Sequence, residues 1–137
     1  GGNLMHDVRD LATVLACIIE PQRGPRRYGV FGHFIPWDDM GGFLTEVTGS
    51  ELTVRRLPDS FFLAMGRVGD LMSHVGVQLP LDHAAARFMT ELVPGDDSAT
   101  RAEFGLEWRS AEETFSDLLR WLVAAGHLDA SKAPALR

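Results

Sequence analysis

Apolar positions along this chain recur mostly at helical spacing, and alternating apolar runs are few and short. Leu11, Val14, Leu15, Ile18 and Ile19 fall at i, i+3, i+4, i+7 and i+8. They form one stripe on a helix over about Asp7 to Glu20. Asp7 is suited to cap it, and Asp10 stands in the capping-box position. Pro21 and Gly24-Pro25 end it. Arg27 to Phe31 then reads as a strand closed by Gly32. Pro36 opens a helix with Met40, Phe43, Leu44 and Val47 on its buried face, and Gly49 stops it. Leu52 to Leu57 reads as a second strand, ended by Pro58. Strand, helix, strand in about thirty residues predicts a βαβ unit with parallel strands and a right-handed crossover.

Everything after Pro58 reads as helical. Phe61, Met65, Val68, Met72 and Val75 alternate steps of four and three, and Leu81, Ala85, Phe88, Met89 and Leu92 make a further face. Gly66 and Gly69 fall inside the first of these helices, where they permit close packing. Asp97 or Ser98 caps a short helix reaching Phe104. Ser110 and Glu113 form a capping box ahead of Ala111, Phe115, Leu118, Leu122 and Ala125, with Gly126 as the stop. The predicted fold class is α/β: a mostly helical lobe of five to six helices with one small parallel sheet. Residues 1–130 form a single unit and 131–137 a frayed tail.

Composition narrows the partners. At 137 residues and 45% apolar content the chain suits one folded domain with a real core. A net charge of −6 with scattered basic residues excludes nucleic acid and anionic membranes as expected partners. A lone Cys17 rules out an internal disulfide, and it reads as a small buried hydrophobe. No apolar run is long enough to span a bilayer and no signal peptide stands at the start, so a cytoplasmic setting is expected.

Several segments carry a family resemblance in order. "DVRDLA" at 7–12 resembles the V-x-D-[VL]-A signature of NAD(P)-dependent epimerases, dehydratases and reductases, the extended short-chain dehydrogenase/reductase family. "RYGVFG" at 27–32 resembles that family's r-Y-x-l-x-G strand, and "GGFLTEVTG" at 41–49 its l-x-E-x-x-G helix end. Leu57-Pro58 resembles the l-P that ends the next strand. "DSATRAEFG" at 97–105 is similar to the D-s-s-k-A segment. Trp108-Arg109, Glu112-Glu113-Thr114 and Trp121 are similar to its closing W…E-T…W pattern. Asp7-Val8 replaces the His-Val of many members, and "DVRDLA" looks closer to the reductase-like branch.

In that family a whole nucleotide-binding domain precedes the first motif, whereas here six residues do. The resemblance therefore implies the substrate-side lobe, with a Rossmann domain as missing partner, NAD(P) as the cofactor of the full-length protein and a small molecule as substrate. It also implies that Asn3, Met5 and His6 at one end, and Arg87, Glu91 and Val93 at the other, face the substrate. A guanidinium at 87 offers a fixed fork of donors for an anionic or carbonyl group, although a solvated helix residue is the plainer reading.

The residues themselves supply no catalytic or cofactor group. The family's chemistry needs a Tyr with a Lys four positions on. The one tyrosine, Tyr28, has Gly32 at that position, and the one lysine is Lys132. No glycine-rich strand-turn-helix for a dinucleotide is present. The five histidines show no metal-ligand spacing, and Ser60 and Ser73 lack a nucleophile-elbow context. The isolated chain is thus expected to be inactive, with no cofactor of its own. An uncovered face left by the missing domain makes a homo-oligomer the expected solution state. The alternative reading is a free-standing, non-catalytic helical binding module descended from such a lobe.

Overall fold

The computed structural model describes residues 1–19, 26–52, 55 and 57–136. The order is β1 (Gly2–Met5), α1 (Val8–Ile18), β2 (His33–Pro36), α2 (Trp37–Thr48), α3 (Asp59–Ser73), α4 (His83–Glu91), α5 (Ser98–Phe104) and α6 (Ala111–Ala124). The described residues are mostly helical, as the spacing predicts. Residues 131–136, expected to fray, lie in two 3-10 turns, Ala130–Lys132 and Pro134–Leu136. The second of these packs on α2 and α6, and Ala133 between them is buried.

The sheet differs from the expectation. It has two strands, and they are antiparallel: β1 pairs with β2 in the register Gly2↔Pro36, Asn3↔Ile35, Leu4↔Phe34 and Met5↔His33. Among the described residues no parallel βαβ unit is formed. Its expected first strand, 27–31, is irregular, because a side chain rather than a neighbouring strand takes its last donors. The Asp97 carboxylate accepts from the amides of Phe31 (3.0 Å) and Gly32 (3.1 Å). Gly32 then turns the chain at φ 66°, a conformation that glycine adopts without steric cost, and the ladder begins one residue later. Of the expected second strand, 53, 54 and 56 lie outside the described residues, while Leu52 and Leu57 sit in irregular backbone.

Helix caps behave largely as the sequence indicates. Asp7 accepts from the Arg9 amide, Ser110 from the Glu113 amide, and Gly49 ends α2 at φ 70° with its N–H on Thr45. Asp97 does not cap α5 with its side chain. The stripes are buried in places other than expected. Of the apolar residues of α1 only Val14 is buried, while Val8, Leu11, Leu15 and, just past the helix, Ile19 are exposed. On α6 Leu119 is buried and Leu118 is 47% exposed, so the buried face is rotated by one residue. On α4 the buried residue is Ala86, and Phe88 points out. On α3 the inner residues are Gly66 and Gly69, pressed on α4. A Cβ at Gly66 would come within 2.7 Å of the Asp82 carbonyl, so glycine is what lets the two helices approach this closely.

Candidate functional site: a polar joint and the wall beside it

Three acidic side chains are buried where the chain's distant parts meet. Asp7, at the start of α1, accepts from the Arg9 amide (2.8 Å), from the Arg9 guanidinium (2.9 and 2.6 Å) and from the Thr114 hydroxyl (3.0 Å). Asp10, one turn on, accepts from the Arg109 amide (2.8 Å) and from the Arg109 guanidinium. Asp97 gathers four donors: the Phe31 and Gly32 amides, the Trp108 indole N–H (2.8 Å) and the Arg101 guanidinium (3.1 Å). Asp10 is thus no capping-box acid. It ties α1 to the segment entering α6.

Electrostatics follow from these contacts. The bidentate hydrogen bonds from Arg9 hold the Asp7 carboxyl far below the usual carboxylate range, and the same pair raises the Arg9 guanidinium. For Asp97, burial pushes the carboxyl up, but the donors from Phe31, Trp108 and Gly32 outweigh it and leave the group lowered. A carboxylate so surrounded is a structural anchor. It has neither the raised pKa of a general acid nor free lone pairs for a substrate.

The residues expected to face a substrate are spread over two places. Asn3 is exposed on β1, and Met5 is half-buried opposite His33. The His6 ring stands edge-on to Trp108, with centroids 5.2 Å apart, and both its nitrogens are buried without a hydrogen-bond partner. On α4, the Arg87 guanidinium is bonded to Glu91 (2.9 and 2.7 Å) on the exposed side, and Glu91 raises the Arg87 guanidinium. Val93, beyond the helix, is exposed. The two segments meet at their flanks: Trp37 donates its amide to the Gly1 carbonyl (3.3 Å) and its indole N–H to the Met89 carbonyl (2.7 Å).

Beside that junction is a cavity of about 460 Å³. Trp37, Met40, Leu44, Leu57, Phe62 and Met89 line it, with Asp38, Arg55 and Asp59. Its size suits a small molecule or part of one. None of Asn3, Met5, His6, Arg87, Glu91 and Val93 lines it. Sequence reasoning places Met40 and Leu44 on a buried helix face, and no local signal marks a hollow there. Tyr28 is half-buried and donates its hydroxyl to Glu103 (3.0 Å), a structural role.

The two strand-to-helix junctions described are acidic. β1 passes into α1 through Asp7, and β2 into α2 through Pro36 with Asp38 and Asp39 in the first turn. Among the described residues no group of three His, Cys, Asp or Glu could hold a metal ion. No helix among them is long and apolar enough to cross a membrane. Comparison with protein-family models, with curated proteins and with solved structures found no match.

Proposed function

We propose that this chain is the substrate-binding C-terminal portion of an NAD(P)-dependent epimerase, dehydratase or reductase, with catalysis residing in a Rossmann domain. The observation that carries this reading is the polar joint. Asp7 and Asp10 come from the first family-like segment, and Phe31-Gly32 from the second. Asp97 comes from the D-s-s-k-A-like segment, and Trp108, Arg109 and Thr114 from the closing one. Four segments selected by resemblance are tied by two sets of hydrogen bonds on buried carboxylates, Asp7 and Asp10 in one and Asp97 in the other, which adjoin at Trp108-Arg109. Residues that build a shared framework would produce that pattern.

The outward face of α1 supports the same reading. Val8, Leu11, Leu15 and Ile19 form an uncovered apolar row of the kind a neighbouring domain buries. In this role the lobe holds a small or sugar-like carbonyl or alcohol substrate toward a nicotinamide bound elsewhere. Asn3, Met5, His6 and Val93 form the wall. Arg87 engages an anionic group only by giving up Glu91.

The second reading is a free-standing binding module that keeps this framework without the chemistry. The cavity at Trp37 favours it, because none of the six residues expected to face a substrate lines it. The coding sequence upstream of Gly1 separates the two. The first reading expects a glycine-rich strand-turn-helix and a Tyr-x-x-x-Lys in the same reading frame. An initiation codon immediately before this segment, with a stop codon ahead of it, would overturn that reading.

A further inference from the structure

The cavity beside Trp37 is walled by separate parts of the chain. Trp37, Met40 and Leu44 come from one face of α2, Phe62 from the start of α3, Met89 from the end of α4 and Leu57 from the segment between α2 and α3. The Trp37 ring is fixed by its bond to the Met89 carbonyl (2.7 Å). Trp37 is nevertheless 39% exposed and Leu57 44%, so the chain itself leaves part of this apolar wall uncovered. Two of the six apolar walls are aromatic and two are thioethers. That set suits an aromatic guest, because rings meet rings edge-on or offset and methionine sulfur packs favourably against them.

The same hollow carries opposite charges that the fold does not use. Arg55 and Asp59 both line it and both are exposed. Among the described residues neither makes a hydrogen bond or ion pair, with the other or with a third group. The remaining charged lining residue, Asp38, is engaged within the chain. A neutral guest would leave both charges idle. A carboxylic acid would engage Arg55 but meet a like charge at Asp59, and an amine the reverse. A zwitterion answers both, since its carboxylate accepts from the guanidinium and its ammonium donates to the Asp59 carboxylate. We infer that the hollow binds an aromatic α-amino acid, with its carboxylate on Arg55, its ammonium on Asp59 and its ring among Trp37, Phe62, Met40 and Met89. None of the residues expected to face a substrate lines the hollow, so this site stands whether or not the enzymatic reading holds.

Titration calorimetry and methyl NMR of the full chain, with isotope-labelled methionine methyls, test it. L-phenylalanine should bind with a dissociation constant below about 1 mM. It should shift the methyls of Met40 and Met89 and leave those of Met65 and Met72, which do not line the hollow, in place. Phenylpropionate, which lacks the ammonium, and phenylethylamine, which lacks the carboxylate, should each bind about tenfold more weakly. Arg55→Gln should weaken phenylalanine about tenfold without weakening phenylethylamine. Asp59→Asn should weaken phenylalanine by a similar factor without weakening phenylpropionate. Both side chains are exposed, so neither change should alter the circular dichroism spectrum. Failure of phenylalanine to bind below about 1 mM overturns the proposal. So does a half-ligand that binds as tightly as phenylalanine, an affinity that both variants leave intact, or binding that moves Met65 or Met72 in place of Met40 and Met89.

Discussion

Asp10 and Arg109, ninety-nine positions apart, are joined twice: the Asp10 carboxylate accepts from both the amide and the guanidinium of Arg109. Asp10 is 6% exposed, so its removal takes a buried acceptor from the Arg109 amide and guanidinium. Asp10→Ala should cost about 1–3 kcal/mol of folding stability. Arg87→Ala, which breaks an exposed pair within one helix, should cost clearly less. Urea denaturation of both variants checks the order. Equal losses would remove the joint's special place in the fold.

Acid should loosen the same joint. Asp7 and Asp97 titrate lower in the folded chain than in the unfolded one, so their stabilisation is complete above the unfolded value of about 3.9. As pH falls through and below that value, the unfolded chain takes up protons first and stability declines. The urea midpoint should therefore fall from pH 5 to pH 3, and Asp97→Asn should flatten the slope. A midpoint constant over that range would contradict the assigned hydrogen bonds.

Helix α6 gives a sharp mutational contrast. Ser110→Ala removes the N-cap acceptor and should cost about 1 kcal/mol. Leu119→Ala empties a buried site and should cost about 2–5 kcal/mol. Leu118→Ala, one position earlier, should cost less than about 1 kcal/mol. Thermal or chemical denaturation ranks the three, and a reversal of 118 and 119 would place the buried face wrongly.

Two helical glycines should respond with opposite signs. Gly42 in α2 has open space where a Cβ would stand, so Gly42→Ala should stabilise by about 0.5–1 kcal/mol. Gly66 in α3 has the Asp82 carbonyl and the Ala86 methyl there, so Gly66→Ala should destabilise by about 1–3 kcal/mol despite the better helix propensity. Melting temperatures of the two variants decide it.

These contrasts mark what the sequence could convey. Helix α1 was legible because Asp7 and its apolar stripe act within a few residues of each other, and α6 because Ser110 and Glu113 do. The partner of Asp10 was not, since Arg109 lies at the other end of the chain. The sheet was misread because the alternation at 27–31 looks like a strand until Asp97 takes its amides, and because β1 has only four residues to signal itself. The row on α3 was legible as a stripe, but its burial was not. Gly66 and Gly69 decide which side of the helix meets α4, and a hydrophobicity pattern gives glycine no weight. The six substrate-side residues rest on resemblance. The structure places Arg87 and Glu91 in a pair and His6 against Trp108, relations that no local pattern announces.

On the proposed function these residues frame a substrate while the dinucleotide is held elsewhere. Titration calorimetry of the chain with NAD, NADH, NADP and NADPH tests it most directly. No binding tighter than about 1 mM is expected for any of the four. A micromolar dissociation constant for one of them would put the nucleotide site in this chain and overturn the proposed function.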